Sequence, residues 1–85
     1  MKQYIICKEW WTVETDEFVD GEVMDTFSDE DEARDEAIRR TDREETEEVE
    51  VDGETVMAVI RYSIEVEKYS HGMLSCWEKI EWDEL

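Results

Sequence analysis

The residues of this chain that are best suited to chemistry are one histidine, two cysteines and 27 carboxylates. His71, Cys7 and Cys76 are ligand types that zinc prefers, but no C-x-x-C or H-x-x-x-H spacing joins them. His71 stands between Ser70 and Gly72, a context typical of a solvated turn. The sequence therefore predicts no zinc site and no cofactor.

The carboxylates match no catalytic or calcium-binding pattern. Acid-base catalysis needs one carboxyl group in an apolar pocket that raises its pKa, and no stretch indicates such a pocket. Asp29-x-Asp31 lacks the turn glycine and the downstream glutamate of an EF-hand loop. Glycine-rich phosphate loops are not indicated either, since the chain has three glycines. We therefore expect a protein that is not an enzyme.

The charge of the chain is strongly acidic and unevenly distributed. The formal net charge is −18, and residues 14–54 hold 20 acidic and 4 basic residues. Solubility alone needs only about 2 to 8 net charges, mixed over the surface. A domain from a halophile would also be acidic, but its acidic residues would be expected to be spread over the whole surface. The concentration in residues 14–54 favours a single-sign surface that attracts a positively charged partner, with a merely solvated face as the alternative.

Length and composition predict one folded domain, residues 1–85. The hydrophobic content of 40% and four tryptophans argue against disorder. We expect Cys7 and Cys76 to be reduced core thiols in a cytoplasmic protein, in preference to a disulfide. The apolar run at residues 4–7 is too short for a signal peptide or a membrane span, so neither export nor membrane binding is expected.

Residues 54–69 are the organising element of the predicted fold. The even positions from Val56 to Val66 are all apolar, whereas several odd positions are polar. This two-residue period is typical of a half-buried strand. Its length and the turn signals at both ends predict the middle of an antiparallel sheet, with a neighbour folded back on each side.

Two hairpins are predicted around this strand. Asp52-Gly53 favours a two-residue loop that pairs Val49 with Val56. Residues 70–72 favour a three-residue loop leading to a last strand at 73–82. In that register Met57, Val59 and Trp77 share the face opposite the apolar side of the long strand.

Residues 2–13 predict the first strand, with aromatic or aliphatic residues on both faces. Residues 14–26 leave two interpretations open, a hairpin at Asp20-Gly21 or a loop pinned by Phe18. Ser28 then begins a predicted helix with a thin apolar stripe. Together these elements predict an α+β domain, namely a three- to four-stranded antiparallel sheet with one helix packed on one face.

Two acidic runs beside an aromatic-rich sheet give the chain a resemblance to a class of proteins. The runs are Asp29-Glu30-Asp31-Glu32 and Glu44-Glu45-Thr46-Glu47-Glu48. In composition and layout the chain resembles small acidic α+β phage proteins, notably anti-CRISPR proteins and other DNA mimics. The resemblance implies a non-enzymatic inhibitor that docks on the Lys/Arg-lined nucleic-acid-binding surface of a nuclease or CRISPR effector in the host cytoplasm, and does not itself bind nucleic acid.

The spacing of the carboxylates is compatible with such mimicry. Alternate strand residues such as Glu48 and Glu50 stand about 6.5 to 7 Å apart, and each DNA strand carries one phosphate per roughly 3.4 Å of axis. The predicted partner-binding residues are seven carboxylates and two aromatic anchors: Asp29, Glu32, Asp35, Glu36, Glu45, Glu48, Glu50, Trp11 and Trp77. The alternative function is an acidic homodimeric interaction or structural protein of a phage or halophile, paired through the Met57, Val59 and Trp77 face.

Overall fold

The computed structural model describes the whole chain, residues 1–85. Its elements are β1 (Lys2–Thr12), β2 (Phe18–Phe27), α1 (Glu30–Thr41), β3 (Thr46–Val51), β4 (Glu54–Ser70), β5 (Met73–Ile80) and a 3-10 turn (Trp82–Glu84). Strands hold 61% of the residues, and every strand pair is antiparallel. The broad α+β class is present, but the prediction of three to four strands is wrong, because the sheet has five.

The additional strand is β2, in the segment for which the sequence left two interpretations open. Asp20-Gly21 is not a turn, because Gly21 lies within β2 opposite Glu9 of β1. The pairing of β2 with β1 contains two register irregularities. Each irregularity shifts the strand's alternation by one residue, so no continuous two-residue period marks β2 in the sequence.

β4 is the central strand, and its neighbours differ from the predicted arrangement. β1 pairs with one edge of β4. β3 and β5 share the opposite edge, where β3 pairs with residues 54–59 and β5 with residues 64–70. The expectation of one hairpin partner on each side is therefore corrected. With 17 residues, β4 is long enough to carry two shorter strands end to end along one edge.

The gap between β3 and β5 is closed by the segment that follows α1. The backbone N–H of Ile60 donates to the Glu45 carbonyl oxygen at 2.8 Å, and that of Tyr62 donates to Thr41 Oγ1 at 3.1 Å. Buried backbone donors need such partners, because an unpaired donor costs about as much as a lost hydrogen bond. These two contacts hold residues 41–45 against β4 and thereby position the start of β3.

The β3–β4 hairpin confirms the predicted two-residue loop. Asp52 and Gly53 both have positive φ, 52° and 83°, as a type I′ turn requires. Val49 pairs with Val56, as expected.

The β4–β5 hairpin is different from the prediction. Its loop has two residues, His71 and Gly72, with φ of 54° and 77°, and Ser70 pairs with Met73. The predicted three-residue loop is therefore wrong. A register irregularity at Lys68/Tyr69 inserts one extra residue in β5, so Trp77 still lies on the predicted face.

Helix α1 covers one side of the sheet, which we call the helix face; the opposite side is the open face. Asp29, and not Ser28, is the N-cap, and its carboxylate accepts from the backbone N–H groups of Asp31 and Glu32. Ala33 and Ala37 are fully buried in the core cluster. These small residues let the helix lie close to the sheet. The core consists of Tyr4, Ile6, Ala33, Ala37, Ile60, Tyr62, Ile64 and Val66.

The helices of this chain are short. The α-helix has 12 residues, and the structure contains no helix with the length and apolar character needed to cross a bilayer.

The two cysteines are free. Cys7 pairs with Ser63 across one edge of β4, and Cys76 pairs with Lys68 across the other edge. Two strand spacings of about 4.8 Å, plus an offset of five residues, separate the two positions. This separation exceeds the Cα distance of about 7 Å beyond which a disulfide requires backbone movement.

Candidate functional site

A buried polar cluster around Glu9 lies on the open face. Glu9 is 2% exposed. Its Oε2 accepts hydrogen bonds from Lys79 Nζ at 2.8 Å and Ser63 Oγ at 3.0 Å, and its Oε1 accepts from Trp11 Nε1 at 3.1 Å. No motif in the sequence indicated this cluster. The available signal was a single acidic residue at position 9, within the first predicted strand.

The groups in this cluster are held in unreactive states. Burial raises the pKa of the Cys7 thiol to about 11, helped by the charge of Glu65, so the thiol is protonated at neutral pH. Ser63 is fully buried. Burial lowers the pKa of Lys79, but its hydrogen bond and charge interaction with Glu9 raise it by more. The cluster therefore serves to hold β1, β4 and β5 together on the side that no helix covers.

The Cys7 thiol makes stability depend on pH in alkaline solution. Its folded-state pKa of about 11 lies above the ordinary value of 9.0, so this contribution is complete below pH 9 and is lost as the pH rises to 11. Two pKa units correspond to about 2 to 3 kcal/mol. We expect urea denaturation between pH 8 and pH 11 to show this loss.

The variant Cys7→Ala isolates the contribution of the thiol. Its absolute stability differs from that of the parent, but its free energy of unfolding should fall less steeply with pH. The loss between pH 9 and pH 11 should be smaller by about 2 to 3 kcal/mol. The remaining slope comes from Lys79 and Tyr69, whose pKa values are also raised. Equal slopes in the two proteins would contradict the assignment.

Trp11 is held within the open face and is partly buried. Its indole N–H donates to Glu9, and its ring meets the edge of Phe18 at 5.8 Å between centroids. The guanidinium of Arg61 lies 5.4 Å from the Trp11 ring and 3.9 Å from the Trp82 ring. Trp11 thus has a structural role, while part of its surface remains accessible.

Trp77 is 53% exposed on the open face and pairs with Glu67. Met57 and Val59 lie on the same face. Ten residues of β4 separate Met57 from Glu67, which is about 30 Å at 3.3 Å per residue. The predicted Met57, Val59 and Trp77 surface is therefore two separate apolar areas.

The predicted carboxylates of the helix are partly occupied by local contacts. Asp29 caps the helix. Glu36 pairs with Arg39 and with Arg40, and the hydrogen bond from Arg40 lowers the pKa of Glu36. Glu32 and Asp35 are exposed. The helix surface thus carries arginine side chains that pair with some of its carboxylates, while other carboxylates are free.

The predicted carboxylates of β3 lie on the other side of the sheet. Glu48 pairs with Met57 and Glu50 pairs with Thr55, which places both on the open face. Helix α1 packs on the helix face. The sheet therefore separates Glu48 and Glu50 from the predicted carboxylates of the helix, and Glu45 lies in the segment between α1 and β3.

The β3 group belongs to a larger acidic surface, which we call the acidic edge. Its eight residues are all exposed, and none of them forms a salt bridge. They are Asp42, Glu44, Glu45, Glu47, Glu48, Glu50, Asp52 and Glu54. β3 is the last strand of the sheet path β2-β1-β4-β3, so a partner can approach its outer edge.

No group of three or more His, Cys, Asp or Glu side chains is arranged to hold a metal ion. No protein-family model matches the chain, and neither does any curated protein or solved structure.

Proposed function

We propose that this protein is a non-enzymatic inhibitor that binds the basic nucleic-acid-binding surface of a nuclease or CRISPR effector in the cytoplasm of a host cell. Its acidic edge takes the place of nucleic-acid phosphates. Glu45, Glu48 and Glu50, all of them candidates from the sequence, belong to this surface.

The observation that carries the proposal is the difference between two acidic surfaces. The helix carboxylates Glu30 and Glu36 form salt bridges with arginines of the same helix. The eight carboxylates of the acidic edge have no such partner. Exposed carboxylates that no cation of the same chain pairs with attract and orient a partner of the opposite sign. The acidic edge is therefore the better candidate.

Two further features support a docking role for the acidic edge. Glu48 and Glu50 lie on one face of β3, about 6.5 to 7 Å apart, a spacing close to twice the phosphate repeat of one DNA strand. Trp11 lies on the same face, two strands away through Val59. An aromatic residue beside a charged row supplies the apolar contact that interface hot spots commonly contain.

The net charge of −18 opposes direct binding to nucleic acid, because phosphates and carboxylates repel each other. The same charge favours binding to a basic protein. Surfaces lined by Lys and Arg bind carboxylates for the reason that they bind phosphates.

A second candidate is self-association through the open face. It is favoured by large apolar side chains that are exposed there, including Phe18, Leu74 and Trp77. Against it, Glu48, Glu50, Glu65 and Glu67 also lie on that face, so two copies would bring like charges together. Sedimentation at low and high salt distinguishes the two candidates, since screening promotes self-association and weakens binding to a basic partner.

The test is capture from a bacterial lysate that contains nucleases and CRISPR effectors, followed by a salt gradient and competition with duplex DNA. We expect the immobilised protein to retain a basic nuclease or effector that duplex DNA displaces. Its affinity should fall at least about tenfold between 50 and 200 mM NaCl, and the purified partner should lose DNA binding at a 1:1 ratio. Failure to retain any basic protein at low salt would overturn the proposal.

A further inference from the structure

A groove at one end of the sheet adjoins the acidic edge. It lies between the β1–β2 loop and the β3–β4 hairpin and has a volume of about 650 Å³. This volume lies within the range of about 300 to 1,000 Å³ that is typical of ligand sites. Four of the residues that line it are apolar, namely Val13, Val51, Val56 and Met57. Val13 is 54% exposed and Met57 is 46% exposed, so the groove leaves apolar surface in contact with water.

Carboxylates surround this apolar surface. Glu14, Glu17, Asp52 and Glu54 line the same groove, and no lysine or arginine does. None of the four forms a salt bridge within the chain. A ligand that matches the groove is therefore both cationic and aliphatic.

The walls of the groove are fixed by hydrogen bonds before any ligand binds. The Val13 N–H donates to the Met57 carbonyl oxygen at 3.0 Å, and the Glu17 N–H donates to Thr12 Oγ1 at 3.0 Å. Asp16, in the same loop, pairs with Arg61 of β4 at 2.6 Å. A preformed site avoids the ordering cost that a mobile loop adds to binding.

We propose that the groove binds an arginine side chain of the partner protein. The aliphatic part of arginine packs on Val13 and Met57, which a backbone hydrogen bond holds side by side, and the guanidinium meets the surrounding carboxylates. Arginine fits better than lysine, because its planar guanidinium makes paired hydrogen bonds to carboxylates and is more weakly hydrated. The inference rests on the proposed function in that the basic partner surface supplies the arginine.

The test uses the peptide acetyl-Gly-Arg-Gly-amide as the probe. It is titrated into protein labelled with ¹⁵N and methyl ¹³C, in 150 mM NaCl. We expect saturable shifts at the methyl groups of Val13 and Met57. The citrulline analogue has the same shape without the charge, and it should bind at least about tenfold more weakly. Equal binding of the two peptides, or no saturable shift up to 10 mM, overturns the proposal.

A pair of variants separates the groove from general electrostatic attraction. Glu14→Gln with Glu17→Gln removes two charges from the groove, and Glu32→Gln with Asp35→Asn removes two from the helix. We expect the groove variant to lose about tenfold in affinity for the arginine peptide and the helix variant to lose less than twofold. An equal loss in both variants overturns the inference. The proposed function is tested on Glu48 and Glu50, which do not line the groove, so loss of DNA-competed capture is distinguishable from failure of the peptide to bind.

Discussion

Replacing Lys79 by Met is expected to lower the free energy of unfolding by about 3 kcal/mol. Glu9 is 2% exposed, and Lys79 is its only cationic partner. Removing one member of a buried ion pair typically costs about 3 to 5 kcal/mol, because the other charge remains without compensation. The lower end applies because the Lys79 side chain is 28% exposed. Urea denaturation followed by tryptophan fluorescence measures the change.

Two further variants show whether the cost comes from the unpaired carboxylate. In Glu9→Gln/Lys79→Met both charges are absent, and the amide can still meet Ser63 and Trp11. We expect this double variant to recover at least about 1 kcal/mol relative to Lys79→Met. Arg34→Met is the matched control, since it removes one cation from the exposed pair with Glu30. Its effect should remain within about 0.5 to 1 kcal/mol.

Two results would contradict a stabilising ion pair between Glu9 and Lys79. If Lys79→Met and Arg34→Met have the same effect on stability, Glu9 does not depend on Lys79. Absence of coupling between Glu9 and Lys79 in the double-mutant cycle would lead to the same conclusion.

Reversing the charges of Glu48 and Glu50 together is expected to abolish partner binding. In Glu48→Lys/Glu50→Lys, two attractive contacts become repulsive ones toward a Lys/Arg-lined surface, and like-charge contacts across an interface cost several kcal/mol. We expect a loss of about 100-fold or more in affinity for the captured partner. Both side chains are exposed, so the fold should remain intact. Circular dichroism and urea denaturation check this.

The matched control reverses two charges on the helix. Glu32→Lys/Asp35→Lys changes the net charge by the same amount at exposed positions on the opposite side of the sheet. We expect a loss of less than about tenfold, since only the long-range attraction is reduced and salt screens it. If the helix variant loses binding and the β3 variant retains it, the docking surface is the helix and not the acidic edge.

Local sequence determined the elements that depend on neighbouring residues. The alternation from Val56 to Val66 gave a correct prediction of β4, because a strand with one buried face must repeat every two residues. Asp52-Gly53 correctly predicted its hairpin, because both positions need positive φ. The acid-rich start of α1 and its alanine stripe likewise follow from capping and packing within a few residues.

The tertiary structure decided how these elements combine. β2 forms a strand through its pairing with β1, although its register irregularities remove the alternation that would reveal it. Glu9 is buried because Ser63 and Lys79, far away in the chain, supply its partners. No local pattern encodes such a contact.

The candidate site shows the same division. Composition alone identified an acidic protein with carboxylates concentrated in residues 14–54. Whether those carboxylates form one surface depends on which side of the sheet each element occupies, and on which cations reach them. α1 packs on the helix face, whereas Glu48 and Glu50 point from the open face. Long-range strand pairing and helix packing therefore separated what the sequence presented as one charged segment.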